Sequence, residues 1–527
     1  MSKARDLANF ISTGALTDGS LDIADVDGLQ AAIDNAGGGG NVAEFTASGT
    51  LPNGKPVLLK ADGTVEVVGE TSTNVSESIP AGSESVFNTG TTYHIAVAFD
   101  PNNANKFVVC YRDDSNSDYG TALVGTVSGT SMSFGSETVF NSGNTQRISV
   151  AFDPNTSGKF VVGYQDYSNS SRGTVIVGTV VGTGLSFGGE TVFDSSECSH
   201  ISISFDQNNA NQFVICYRDE GSSGYGKARI GTVSGTSVSA GGGFTFNSVG
   251  TEWISAAFDP NNGDKFVVCF RSDGNSDEGT AVVGTISGTS ISFGSATVFN
   301  SGYSPHTSIS FDPSNANKFV ICYRDGGNGN YGTAIVGTVS GTSLSFGSET
   351  VFNTGTVEFT SVFFDPNTSG KFILVYRDDA GSGHGKAIIG TVSGTSISFG
   401  SATTINAASS NYVAGSVDPN NAGKFVVCYT DNGNSTYGTA ILGQMAATVS
   451  VTNLDADNYI GFSEAAYTDG QTASVMLKGG VSATQSGLTV GSDYYVQGDG
   501  TLDTTADTVS VEAGKAVSAT TLLLKGH

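Results

Sequence analysis

FDPNNANKFVVCYRD, Phe99 to Asp113, is the stretch on which the fold turns. Close copies start at Phe152, Phe205, Phe258, Phe311 and Phe364, and a seventh, VDPNNAGKFVVCYTD, starts at Val417. The offset is 53 residues every time, with no insertion or deletion. Each period holds four runs rich in Val, Ile, Phe and Tyr. In the first copy they are His94–Phe99, Lys106–Arg112, Thr121–Val127 and Ser133–Phe140. DPNNAN between the first two is a turn with Pro at its second position, and SGTS is a tight glycine turn. A four-stranded antiparallel meander repeated seven times predicts an all-β chain with a seven-bladed β-propeller over 82–446. A parallel β-solenoid is the rival, but it needs shorter coils and no hairpins.

The ends of the array predict how the ring closes. The seventh copy reaches TAILGQMAA and lacks its fourth run, while a spare one, SESVFNTG from Ser83, stands ahead of the first copy. It matches SETVFNSG from Ser136. The last blade is expected to take its outer strand from there, which removes open sheet edges. Residues 1–41 are expected to form two short helices, SKARDLANFI and DIADVDGLQAAIDNA, and a hinge at Gly37–Gly40. Residues 42–81 predict a β hairpin turning at Asp62-Gly63. A lone hairpin is marginal in water, so it is expected to pack with a C-terminal β domain over 447–527, with the propeller inserted between.

The 527 residues include 72 Gly and 10 Pro and carry a formal net charge of −26. That field repels phosphate backbones, so no nucleic-acid partner is expected. No apolar run approaches the ~20 residues of a membrane helix, so no membrane insertion is expected. MSKARDLANFISTGALTDG has neither the apolar core nor the small-residue cleavage site of a secretory signal. Cys110, Cys216, Cys269, Cys322 and Cys428 hold one position in five copies, where Gly163 and Val375 stand in the other two. Equivalent positions in packed sheets lie ~10 Å apart, beyond the ~7 Å reach of a disulfide. All six cysteines are expected to be buried, reduced thiols of a protein assembled in a reducing cytoplasm.

Both ends carry a resemblance. MSKARDLANFISTG and VDGLQAAIDNA resemble the virion-proximal starts of tail-fibre and appendage proteins of tailed bacteriophages, marine ones especially. NYIGFSEAAYTDGQTASVMLKGGVSATQSGLTVGSDYYVQGDGTL, from Asn458, is similar to a β module of phage structural proteins. YGTAIVGTVSGTSLSFGSETVFN, from Tyr331, resembles repeats in phage and marine microbial proteins. The resemblance implies a virion component, homo-oligomeric, that docks on other virion proteins through its N-terminal segment and β domain. It includes no catalytic motif and implies no cofactor.

The informative positions are those that vary while their neighbours repeat. Just ahead of the first strand stand His94, Arg147, His200, Trp253, His306, Phe359 and Tyr412, bulky, aromatic or cationic in all seven copies. Glu252 and Glu358 precede two of them. Inner strands come first in propeller blades, so these side chains are expected to ring the mouth of the central channel. They read either as a packed plug or as a ligand platform, with aromatic faces for sugar rings and Arg and Glu for hydroxyl or acidic groups. Glu252 and Glu358 could also form a glycosidase-like acid pair. Asp114, Asn116 and Asp118, and Asp273, Asn275 and Asp277, alternate as calcium-loop ligands do, although a polar hairpin turn is the better explanation, since the other five copies lack the set. Three histidines suggest metal only weakly, since Arg147 and Trp253 separate them.

Strand direction sorts the loops. The near-constant DPN and SGTS turns fall at one end of the array, here the DPN end; the variable stretches and the aromatic ring fall at the other, the collar end. Both chain ends leave at the DPN end, so the flanking domain is expected beneath it, with the collar end displayed. The expected function is a virion appendage for host-surface attachment, with glycan as a candidate receptor. The alternatives are a purely architectural capsid decoration or fibre, and a glycan-cleaving enzyme.

Overall fold

The computed structural model describes residues 41–455, 457–506 and 509–526. The helices and hinge expected within 1–41 lie outside the described residues. Elsewhere the chain is strand with short 3-10 turns, and no α-helix occurs among the described residues. Two compact units result: Val75–Ala447, and a second made from both flanks, up to Asn74 and from Thr448.

Within Val75–Ala447 the first copy contains strands Ser85–Phe99, Lys106–Asp113, Tyr119–Ser128 and Ser131–Phe134, and then Thr138–Phe152. Two expectations need correction. The fourth run, Ser133–Phe140, is broken between Phe134 and Thr138. The loop expected after it is not a loop: Thr138–Phe152 is a single strand of 15 residues. Its first half edges one repeat, with Ala122 opposite Thr138, and its second half starts the next, with Phe152 opposite Phe160. The chain changes partner within one strand, through a single bulged residue at Arg147, so no connecting loop is needed. Repeat five is the exception: Thr297–Tyr303 and Ser308–Phe311 are separate, and Pro305, which has no N–H for a ladder, lies between them.

At the seam, Ala440 pairs with Ser85, Thr439 with Val86 and Tyr437 with Thr91, so the order of strand pairing returns to its start. Side chains repeat across the seam what they do inside the array. Tyr429 OH donates to Glu84 at 2.7 Å, as Tyr111 OH does to Glu137 at 2.8 Å. Asn420 Nδ2 donates to the Pro101 carbonyl at 3.1 Å, as Asn102 does to Pro154 at 3.1 Å.

These contacts explain the recurring phrase. Asp100 is fully buried; its carboxylate accepts from the Asn102 N–H at 2.9 Å and from Asn103 Nδ2 at 2.7 Å, which frees the Asn102 amide to reach the next repeat. Between inner strands, serine hydroxyls replace a ladder: Ser416 Oγ accepts from Phe99 N–H at 3.1 Å and Ser149 Oγ from Ile203 N–H at 3.0 Å. Phe107 and its equivalents are fully buried over glycine. A Cβ on Gly125 would sit 2.1 Å from the Phe107 ring, so glycine is kept there for space. All six cysteines are free and buried, and burial pushes their thiols up, Cys322 to about 12. The chain enters and leaves the array side by side at the DPN end, where Ser78 N–H donates to the Gln444 carbonyl at 2.8 Å.

The flanking unit contains a small closed barrel of Val42–Ala47, Pro56–Leu59, Thr64–Val67, Tyr459–Ser463 and Thr472–Leu477. Val42 pairs with Met476 and Pro56 with Phe462, which joins the N-terminal hairpin to C-terminal strands. Leu51, Val57, Val65, Ala473 and Val475 are fully buried inside it. A second sheet, of five strands, is built between Val481 and Leu524.

Candidate functional site

Each inner strand begins with one residue in the left-handed region. The φ angles are 51° at His94, 51° at Arg147, 49° at His200, 52° at Trp253, 57° at His306, 49° at Phe359 and 50° at Tyr412. Pairing slips at the same place, between Tyr93 and Ala96 in the first repeat, so the residue bulges from the ladder. Left-handed backbone costs a non-glycine residue roughly 1–2 kcal/mol. Elsewhere this chain relieves that cost: Asn105, Asn211, Asp264 and Asn317 share their left-handed position with Gly158, Gly370 and Gly423. At the bulge, glycine never occurs. The side chain there is retained against the backbone's preference, and backbone angle is what the sequence reading lacked.

The seven residues form a collar. Ring centroids lie 5.5 Å apart for His200–Trp253, 4.0 Å for Trp253–His306, 5.5 Å for His306–Phe359, 5.0 Å for Phe359–Tyr412 and 4.9 Å for Tyr412–His94. Arg147 occupies the remaining gap, between His94 and His200 in repeat order. The rings are turned largely toward one another. The imidazoles are used as acceptors: His200 Nδ1 accepts from Trp253 N–H and His306 Nδ1 from Phe359 N–H, both at 3.2 Å. Burial first, and nearby guanidiniums second, lower His94, His200 and His306 to about 3, so they are neutral at physiological pH. The Arg147 charge bears on all three and on Tyr412.

A second circuit surrounds the first, and sequence reading passed over it. Arg112, Arg218, Arg271, Arg324 and Arg377 stand one residue before the end of the second strand in five repeats, where Gln165 and Thr430 stand in the other two. They looked like scaffold because they repeat. Glu252 accepts from Arg218 at 3.1 Å and from Arg271 at 2.8 Å; Glu358 lies 3.5 Å from Arg324 and 3.7 Å from Arg377. Tyr303 lies between Arg271, at 5.0 Å, and Arg324, at 5.7 Å. Glu252 and Glu358 are thus each shared by two guanidiniums and are not paired with one another.

The calcium-loop candidates lie on the same circuit. Asp114 binds Arg112 at 2.5 Å with Asp118 at 3.9 Å, and Asp273 lies 3.0 Å and Asp277 3.7 Å from Arg271. Asn116 ends a 3-10 turn and is exposed; Asn275 ends the equivalent turn. These carboxylates converge on a guanidinium, not on a shared oxygen cage. Among the described residues, no cluster of three or more His, Cys, Asp or Glu side chains could hold a metal.

At the DPN end a cavity of about 540 Å³ is lined by all seven inner strands, with Phe99, Phe152, Phe205, Phe258, Phe311 and Phe364 at its wall. It is apolar where the collar end is charged.

No family model and no curated protein matches the sequence. Solved structures with a similar arrangement include Sqt1 from Chaetomium thermophilum, at 12% identity over 68% of this chain and 83% of that one, with a TM-score of 0.44. BP39L lectin from Burkholderia pseudomallei is 10% identical over 69% of this chain and all of its own, with a TM-score of 0.48. AofleA from Arthrobotrys oligospora is 8% identical over 62% and 90%, with a TM-score of 0.41. At these TM-scores the likenesses carry no inference about ligand or activity.

Proposed function

We propose that Val75–Ala447 is a closed seven-bladed propeller whose collar end is a non-catalytic attachment surface, carried by a phage virion appendage and directed at host-surface glycan. The cyclic strand order and the seam contacts at Glu84 and Asn420 support the propeller. The observation that carries the attachment reading is the collar: seven side chains kept at a backbone position that favours glycine, at the end where the repeats differ most. Both ends of the array leave at the DPN end, which keeps the collar clear of them. The clamping of Glu252 and Glu358 by two guanidiniums each supports binding over cleavage. The virion setting, homo-oligomer and docking through the flanking β unit rest on the resemblance at the two ends of the sequence.

A second reading has its own observation. The collar rings pack against one another at tilted angles, which suits an architectural plug in a protein that contacts only other virion subunits. A glycan array probed with the full chain and with Trp253→Ala separates the two. Attachment predicts glycan binding that falls about thirtyfold in the variant with the melting transition retained. Collapse of the melting transition in the variant, with no glycan bound by the parent, supports the plug.

A further inference from the structure

Of the described arginines, Arg112, Arg218, Arg229, Arg271, Arg324 and Arg377 all enter ion pairs. Arg147 and Arg172 enter none among the described residues, and both belong to repeat two. In a chain of net charge −26, two unpaired guanidiniums in one repeat are a departure from the pattern around them. The cause is substitution at several positions at once. Where other repeats place Asp114, Glu220, Asp273 or Asp379, repeat two has Tyr167, 56% exposed; where they place Arg, it has Gln165; ahead of the collar residue it has Gln146. Its own carboxylate at this end, Asp166, is buried and caps the turn, accepting from Asn169 N–H at 3.2 Å.

Asp114 is engaged on Arg112 at 2.5 Å and Glu220 on Arg218 at 2.7 Å, while the exposed Glu197 stands opposite Arg172 in the ladder without forming an ion pair with it. Amides fill the space between: Gln146 Nε2 donates to Asn144 Oδ1 at 3.2 Å, and Arg172 donates to Asn169 Oδ1 at 3.3 Å. Strand register sets Gln146 opposite Gln165 and Asp166 opposite both Thr145 and Arg172, so Arg147 and Arg172 flank the Tyr167 turn at one edge of the repeat. Arg147 is also the exposed member of the collar, and its charge reaches imidazoles on both sides of it.

We infer that repeat two forms an anion subsite for an acidic saccharide, a uronate or a sulfated sugar, with Arg147 binding the anionic group and Tyr167 offering a face to the ring. This rests on the attachment reading and names its ligand class. A guanidinium binds carboxylate or sulfate through two parallel N–H donors. An exposed tyrosine suits the apolar face of a pyranose. Repeat two places Gln146, Gln165 and Tyr167 around Arg147 where other repeats carry charged side chains, which lowers the repulsion that such a ligand meets over most of the molecule.

Trp253, the one tryptophan of the chain, stacks in the collar two repeats away and serves as the optical probe. The full chain is titrated with glucuronate, glucose 6-sulfate, inorganic sulfate and glucose while Trp253 fluorescence is followed, and the glycan array is run in parallel. The expected result is a saturable change with glucuronate or glucose 6-sulfate but not with glucose. It weakens about tenfold or more in Arg147→Gln, with an intermediate loss in Arg147→Lys. Unchanged melting of Arg147→Gln keeps the comparison clean. An equal response to inorganic sulfate and to the sugars overturns the saccharide part. No saturable response, or one unaltered in Arg147→Gln, overturns the subsite. Array binding to neutral glycans that survives Arg147→Gln leaves attachment standing while the subsite falls. Titration by glucuronate with a blank array keeps the subsite and removes the host-glycan reading.

Discussion

Truncating Phe87 to alanine tests whether the N-terminal strand completes the seventh repeat as fully as internal strands complete the others. Phe87 is 7% exposed, its ring 5.3 Å from that of Tyr111 and 5.9 Å from that of Phe134. It lies over Gly438, where a Cβ would come within 2.4 Å of the ring. Phe193 is its equivalent inside the array, 4% exposed and 5.1 Å from Tyr217. Removing a buried phenylalanine costs about 3–5 kcal/mol. Closing the seam spans 345 residues between Glu84 and Tyr429 against 26 for Glu137 and Tyr111. Loop entropy grows logarithmically, so that difference costs only about 2 kcal/mol, less than one buried ring contributes. Phe87→Ala and Phe193→Ala should therefore lower the urea midpoint by similar amounts, about 1 M or more. Hydrogen exchange at Thr439 and Ala440, which pair with Val86 and Ser85, should accelerate only in Phe87→Ala. If Phe87→Ala stays within about 0.5 kcal/mol of the parent while Phe193→Ala falls as stated, the seam is a loose strand and the closure argument fails.

Stability should also depend on pH through the collar. His94, His200 and His306 titrate at about 3 when folded against 6.5 unfolded, so the unfolded chain binds more protons between those values. Their contribution is full above pH 6.5 and is lost as pH falls toward 3. At pH 5 each imidazole should forfeit about 1–2 kcal/mol, and a chain with all three changed to Phe, the residue repeat six already has there, should lose that part of the acid sensitivity in melting curves. An identical pH profile in that variant removes the collar from the explanation. The hydroxyl of Tyr376 is buried without a partner, because Ala402 stands where four repeats have Glu, and repeat four has Phe270 at the equivalent place. Tyr376→Phe should be neutral or stabilising by about 1 kcal/mol, whereas Tyr323→Phe, which removes a bond to Glu349, should destabilise by a similar amount in denaturant titrations. Thiol reagents should leave the native protein unmodified and find six cysteines after denaturation without reductant; four or fewer would contradict the free, buried state.

The period, the first three strands of each repeat and the pairing of Ser85–Thr91 with the seventh copy could all be read from residue identity. They depend on hydrophobic alternation and on matching one phrase to another, both of which are local in the chain. The buried role of the DPN aspartates was hidden because an Asp at a turn has the same letters whether it caps only its own loop or frees an Asn to clamp the next repeat. Continuous strands replaced the expected loops at the collar end for a related reason: NSGNTQR has turn composition, yet it stays within one strand up to the bulge at Arg147 because each half finds a partner in a different sheet.

Sequence variation located the collar, since a position that changes among constant neighbours is free of the shared scaffold. Its left-handed backbone, its tilted ring-to-ring contacts and the lone exposure of Arg147 came only from tertiary structure. Residues 53 apart become neighbours when consecutive repeats pack, and pairings such as Glu252 with two arginines depend on that distance alone. Arg112 and Arg147 are the same letter in the chain. One is neutralised by Asp114 beside it, and the other is left free because repeat two carries Tyr167 in that place. Charge compensation is decided by who stands within a few ångströms in space, and the linear order of residues does not contain that distance.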